Sequence, residues 1–326
     1  MRLVQAIAAS LLLLMAGAVG ASAQSPGKIY RVGLLFVGPM GSSILGPAIP
    51  RFFAKRGFVP GKNLMLEKMP AGGHLDRLPK LVAKLVADKV QVIITAGYPA
   101  ALAAKKYDHG IPVVVVGAGN PVATGLAASL VHPGGDLTGI SEESTTLSAK
   151  RLEILKEALP QLNTVAVLWN ADDPAMTLRY QSTLIEGKKL GIKIVPLGVR
   201  APHDFRGAFA ALVAHPPDAM LMVLDALTSG YSRHIFAFAT AHRLPVIYEQ
   251  AWLVQDGGLM SYGPNMKSEF DRVVDLAVRI LKGAKPANLP LELPTRFTFA
   301  VNLKTAKALG LTIPDDVMMR ADDVVE

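Results

Sequence analysis

The sequence predicts an α/β protein of two doubly wound lobes, each a parallel sheet with helices on both faces. Short, fully apolar runs rich in valine and isoleucine alternate with amphipathic segments, the pattern of buried parallel strands joined by helices. The alternation runs to Gly117 and restarts after Gly139, giving two comparable stretches. After Leu259–Tyr262 the rhythm breaks into one helix, a proline-studded connection (Pro286, Pro290, Pro294), a strand and a last helix. A chain that ends this way returns to its first lobe and crosses back. Lobes joined by several crossings hinge about a cleft, an architecture for closing on a small ligand.

In the first stretch, Ile29–Val37 reads as a strand, the segment up to Arg56 as a helix stopped by Gly57, and Leu64–Met69 as a second strand. Leu78, Leu81, Val82, Leu85 and Val86 follow the spacing of a helix with one buried face. Val90–Thr95 is a strand, Pro99–Tyr107 a helix with proline in its first turn, and Pro112–Gly117 a strand. In the second stretch the helix Leu147–Leu159 ends at Pro160, Thr164–Trp169 is a strand, and the helix Ala175–Leu190 is closed by Gly191. Ile192–Leu197, Ala219–Leu224 and Pro245–Tyr248 are strands, with helices at Asp204–Ala214 and Ser229–His242 between them. The terminal elements are the helix Lys267–Leu281, the strand Phe297–Val301 and the helix Leu303–Leu309.

Residues 1–23 read as a cleavable export signal. Arg2 supplies the positive start, Ala6–Val19 the apolar stretch, and Ala21-Ser22-Ala23 the small residues before cleavage, with Gln24 as mature start. The stretch is short of the about 20 residues that span a membrane. The chain has no cysteine, so there is neither a disulfide framework nor a thiol at the cleavage point to carry a lipid. The expectation is a soluble, periplasmic protein that is not lipid-anchored.

The formal charge of +8 is spread along the chain, with Lys105-Lys106 and Lys188-Lys189 as its densest patches. With export expected and no basic run, nucleic acid is not an expected partner. A Gly-x-Ser-x-Gly elbow, a His-Glu-x-x-His pair and a phosphate-binding loop are all absent, and the seven histidines are scattered. Gly117-Ala118-Gly119 lacks the third glycine of a dinucleotide fingerprint, since Val122 stands there. The adjacent acids Asp172-Asp173, Asp315-Asp316 and Asp322-Asp323 suit capping or solvation better than acid–base chemistry. No catalytic residue, cofactor or metal is expected.

Four motifs agree in order with one family. They are Gly119-Asn120-Pro121-Val122 continuing through Gly125-Leu126, Ser129-Leu130, Pro133-Gly134-Gly135 and Thr138-Gly139; Gly257-Gly258-Leu259-Met260-Ser261-Tyr262-Gly263-Pro264; Leu281-Lys282-Gly283-Ala284-Lys285-Pro286; and Asn302-Leu303-Lys304-Thr305-Ala306-Lys307-Ala308-Leu309-Gly310. From Ile29 onward the chain resembles the ABC-transporter substrate-binding proteins of the tryptophan/tyrosine type, which look like type I periplasmic binding proteins. The resemblance implies a three-crossing hinge, near Gly139–Ser141, Tyr262–Pro264 and Asn288–Pro294. The expected division is residues 28–140 plus 264–288 for the N-terminal lobe and 141–263 plus 289–326 for the C-terminal lobe. It also implies capture of a small solute, an amino acid or related carboxylate, for an ABC permease in the inner membrane, by a monomer that is not an enzyme. A sensor module serving a signalling kinase and, more remotely, a periplasmic enzyme are the rival readings. Where many relatives carry aspartate, this chain has Asn120.

Ligands of such lobes sit outside the carboxyl ends of the strands. After the first strand, Ser42 and Ser43 lie in a glycine-flanked loop suited to a carboxylate, or to no more than flexibility. Gly97 and Tyr98 open a helix whose first N–H groups favour an anion, with Tyr98 as stacking partner or lobe-edge aromatic. Asn120 is placed to bond the ligand or cap a turn. In the second lobe Asn170 follows a strand, and Asp172 is read as a ligand contact or a helix cap. Asp225 and Glu249 are the acids placed to receive an ammonium, each with a solvated loop charge as the plain alternative. Tyr231, Tyr248, Trp252 and Tyr262 are candidate clamps, while Trp169 on a strand belongs to the core.

Overall fold

The computed structural model describes residues 28–38, 48–142 and 144–326. The first half runs β1 (Tyr30–Phe36), α1 (Ile49–Ala54), β2 (Leu64–Pro70), α2 (Leu78–Ala87), β3 (Val92–Ala96), α3 (Tyr98–Tyr107), β4 (Val113–Val116) and β5 (Leu137–Ile140). The second runs α4 (Ser144–Ala158), β6 (Thr164–Asn170), α5 (Pro174–Leu190), β7 (Lys193–Val199), α6 (Asp204–Ala214), β8 (Ala219–Met222), α7 (Ala226–Gly230), α8 (Ser232–Ala241), β9 (Val246–Tyr248), α9 (Ala251–Gln255) and β10 (Met260–Pro264). The chain closes with α10 (Met266–Leu281), β11 (Leu291–Glu292), β12 (Phe297–Asn302), α11 (Leu303–Leu309), α12 (Asp315–Met318) and β13 (Asp323–Val325).

These strands form two sheets, ordered β11-β5-β4-β3-β1-β2 and β13-β12-β10-β9-β8-β6-β7. The first is parallel throughout. Its interior strands are buried along their length, as their unbroken apolar sequences require. Helix α10 lays Phe270, Val273, Val274 and Ala277 on one face of that sheet, against Leu34, Ile94 and Val114. Each such side chain taken from water contributes about 1.5–3 kcal/mol. The helix after the second sheet is therefore anchored in the first lobe, as the broken rhythm of the sequence implied.

Several features differ from the sequence reading. The second sheet is not wholly parallel: β12 runs antiparallel to β10, with Tyr262 opposite Phe299. A strand arriving from the first lobe enters the second sheet at the end where β10 leaves it, so it must run the other way. Leu291 and Glu292 pair with Gly139 and Ile140. The chain is thus still in the first sheet beyond the expected division at residue 288, and leaves it after Glu292. The expected helix Ser229–His242 is two helices, α7 and α8: a reciprocal capping box of Asp225 and Thr228 starts α7 before Ser229, and the helical run breaks at Tyr231.

The strand β5 carries a glycine where strands usually disfavour one. A Cβ on Gly139 would lie 2.2 Å from the Val115 carbonyl oxygen, and its φ is +143°. Close approach of β4 excludes any side chain there, which also explains why this strand was hidden in the sequence.

Candidate functional site in the interlobe cleft

Strand order reverses between β3, β1 and β2 in the first sheet and between β8, β6 and β7 in the second. Ligands of open α/β sheets bind at such switch points. The residues following β3, β6 and β8 therefore define two facing edges of one cleft.

The first-lobe edge is made of backbone. Gly97 takes φ +84° at the N-cap of α3, which a side chain would strain, and its N–H donates to the Val116 carbonyl at 3.0 Å. The first turn of α3 leaves backbone N–H groups without partners within the helix. Tyr98 in that turn is buried, and burial, followed by the charge of Asp173 across the cleft, raises its phenol. Asn120 uses its side-chain oxygen to accept from the Ala123 N–H at 3.0 Å, so it caps the turn. Ser42 and Ser43 lie outside the described residues.

The second-lobe edge is made of charge. Asn170 donates to Asp225 at 2.6 Å and accepts from the Asp172 N–H at 3.1 Å. Asp225 also accepts from the Thr228 N–H at 2.9 Å and from its hydroxyl at 3.0 Å. Burial pushes the Asp225 carboxyl up despite these donors. The cap of α5 is Asp173, not Asp172: it accepts from the Ala175 N–H at 2.8 Å, and burial together with the neighbouring Asp225 pushes it up to about 6. Asp172 is exposed and pairs with Arg200 at 3.1 Å.

Between the edges lies a buried ionic floor. Glu249 receives Arg151 on one oxygen at 3.1 Å and Arg179 on the other at 2.5 Å. Arg179 also reaches Glu142 at 2.8 Å, and Arg151 donates to the Tyr262 carbonyl at 2.6 Å. Glu249 is thus occupied on both oxygens and serves here as the counterion of two arginines rather than as an open acceptor. Glu142 follows the first crossing and sits near the first-lobe glycines, its Oε1 3.6 Å from where a Cβ on Gly117 would stand. Glu269, in the first turn of α10, is 3% exposed, and neither of its oxygens has a hydrogen-bond partner. Burial and the nearby Glu142 push it up to about 9.

The aromatic clamps fare differently. Tyr231 stacks on Phe205 at 4.0 Å and Tyr248 packs edge-on to Phe236, both within the core under the second sheet. Trp252 packs against that same core, and Trp169 stacks on Tyr180 at 3.9 Å. Tyr262 remains half-buried at the crossing and stacks on Phe297.

The profile of the family described as ABC transporter substrate binding protein matches residues 52–325. The chain belongs to this family. A curated relative, the tyrosine-binding protein of Clostridioides difficile (strain R20291), is 24% identical over 256 residues, covering 78% of this chain and 73% of that protein. Among solved structures, a conserved domain protein from Vibrio cholerae is similar at TM-score 0.86 and 23% identity, over 91% of this chain and all of that one. The ABC domain in complex with L-Trp from Streptococcus pneumonia is similar at TM-score 0.85 and 21% identity, with the same coverage. These likenesses bear out the expected fold and family. Proteins of this family bind small ligands for ABC transporters and are not enzymes.

Sequence reading missed Arg151, Arg179, Glu142 and Glu269, and took Asp173 with Asp172 only as a capping or solvated acid. A signal existed for three of them. Arg151 sits between Leu147 and Leu155 on the apolar stripe of α4, Arg179 between Ala175 and Thr183 on α5, and Glu269 four residues before Val273 on α10. A charge in phase with a buried stripe marks a paired or functional group.

Proposed function

We propose that this protein captures an amine-bearing small solute, an amino acid or close relative, in its interlobe cleft and delivers it to an ABC importer in the inner membrane. The observation that carries the reading is Asp225, a carboxylate fixed by Asn170 and Thr228 at the second-lobe switch point, with the N-terminus of α3 on the opposite edge. The helix start receives the solute's anionic group and Asp225 its ammonium, so a single solute bridges both lobes and holds them closed. The lobes, 28–140 with 264–292 and 141–263 with 293–326, move as two bodies about the crossings. The leader-like first 23 residues support a periplasmic location, and among the described residues no helix is long and apolar enough to cross a membrane. The named ligands of the relatives, tyrosine and L-Trp, support an amino-bearing solute.

The test is thermal unfolding of the solute-freed protein against amino acids, amines and sugars. A solute at 100 times its dissociation constant adds about 2.7 kcal/mol. A stabilising amine whose effect is lost in Asp225→Asn is expected; stabilisation by sugars alone would overturn the assignment.

A further inference from the structure

The two lobes are built alike and charged differently. Residues 28–140 with 264–292 hold 18 basic and 9 acidic side chains, whereas 141–263 with 293–326 hold 15 and 17. The positive excess of the folded chain therefore belongs to the first lobe. In a parallel sheet joined by helices, strand starts and helix ends meet at the edge away from the cleft. At that end of the first lobe stand Lys28 before β1, Lys62 before β2, Lys89 between α2 and β3, Lys106 in the last turn of α3, and Lys282 and Lys285 after α10. Sheet pairing sets the first three of these segments side by side: the Tyr30 N–H donates to the Asn63 carbonyl at 2.8 Å and the Gln91 N–H to the Arg31 carbonyl at 2.9 Å.

All six lysines are exposed. The described ion pairs of this lobe engage Arg31, Arg56, Lys84 and Arg272, and none engages these six. Lys28 and Lys106 lie over the rings of Tyr30 and Tyr107, contacts that leave their charge in place. Among the acids nearby, Asp88 is bound to Lys84, Asp271 and Asp275 to Arg56, and Asp108 is buried, which leaves Asp136 exposed at this end. The helix dipole favours cations at helix ends in either lobe, so it does not account for the difference. At the corresponding end of the second lobe, Lys189 pairs with Glu186 and Lys156 donates to the Pro160 and Leu162 carbonyls. Exposed Lys188, Lys193 and Arg243 share that end with exposed Asp218 and Asp256.

We propose that this far end of the first lobe rests on an anionic lipid surface, held by many weak contacts to phospholipid headgroups. Lysine is a compact charge on a flexible stem, without the planar fork by which arginine fixes one carboxylate or phosphate. Six such charges spread over the end of a lobe fit a plane of negative charge better than a single anion. The end faces away from the cleft, so a protein held this way keeps its cleft free to open and close while staying beside a membrane-borne permease. The inference goes beyond solute capture and does not depend on which solute is taken.

The experiment uses residues 24–326, which hold every described element and omit the apolar leader that would itself enter a bilayer. The protein is sedimented with phosphatidylcholine vesicles, with and without about one-third phosphatidylglycerol, at low salt and at about 1 M salt, where charges are screened beyond about 3 Å. Binding to the anionic vesicles alone, released by salt, is expected. Lys28→Gln, Lys62→Gln and Lys285→Gln together are expected to weaken it about a hundredfold. Lys188→Gln, Lys193→Gln and Arg243→Gln together remove the same charge from the second lobe and are expected to weaken it less than about threefold. Both variants change exposed side chains and are expected to unfold at the midpoint of the unmodified protein. Three results would each overturn the proposal: no binding to anionic vesicles at low salt, equal binding to neutral ones, or equal loss in the two variants. Retention on heparin without vesicle binding would overturn it too, and would assign this end to a soluble polyanion.

Discussion

The two edges of the cleft are built from different materials. The first-lobe edge offers backbone N–H groups, held by glycine geometry at Gly97 and backed by a strand, β5, that tolerates no Cβ at Gly139. The second-lobe edge offers Asp173 and Asp225, stiffened by Asn170, Thr228 and the first turn of α5. Backbone donors are fixed by the fold and accept any anionic group of the right size. Side-chain charges are set residue by residue, so under the proposed function selectivity rests on the second lobe, while the first supplies a general socket.

The largest test of this contrast is Glu249→Ala. It strands buried Arg151 and leaves Arg179 with Glu142 alone, and removing one partner of such a buried pair costs about 3–5 kcal/mol. Denaturant unfolding would read it, and a loss under 1 kcal/mol would mean the floor is not what supports that edge.

Acidity probes the charged edge next. Asp173 is raised from 3.8 to about 6, so the folded protein holds that proton more tightly than the unfolded chain. Its contribution is complete below pH 3.8 and is lost as pH rises through 6, a fall of up to about 3 kcal/mol. In Asp173→Asn, whose amide still caps the helix, that fall is expected to disappear when stability is followed from pH 3.5 to 7. Equal pH dependence in both proteins would place the effect elsewhere.

On the backbone edge, Gly139→Ala forces a methyl group against the Val115 carbonyl and is expected to destabilise by about 1–3 kcal/mol, measured by chemical unfolding. Smallest of all is Asp172→Ala. Its pair with Arg200 is open to solvent, and a change within about 0.5 kcal/mol is expected by the same measurement. A larger loss would draw Asp172 into the edge from which its exposure separates it.

The same contrast governs what could be read from the chain. Strands such as Val113–Val116 announce themselves through their local apolar pattern, and helices such as Pro174–Leu190 through a closing glycine, Gly191. The backbone edge was legible too, because a glycine followed by proline in a first turn is a local signature, and it drew attention to Gly97 and Tyr98. On the charged edge, Asn170 and Asp225 drew attention because they stand at or just after strand ends. Glu249 was also found by position, but its burden of two arginines was not visible, since Arg151 and Arg179 arrive from helices 98 and 70 residues earlier. Asp173 was read with Asp172 as a capping or solvated acid, and Glu142 has no periodic context at all. The brief strands β11 and β13 escaped because they exist only through pairing with β5 and β12.

The central claim, that Asp225 receives the cationic group of a solute held between these edges, is tested most directly by calorimetric titration. The probe is whichever of L-arginine, agmatine, putrescine, L-tyrosine and L-tryptophan stabilises the unmodified protein. It is titrated into that protein and into Asp225→Asn. Loss of a hydrogen bond to a charged group predicts binding about tenfold to a hundredfold weaker in the variant. Equal affinity in the two proteins would contradict the account.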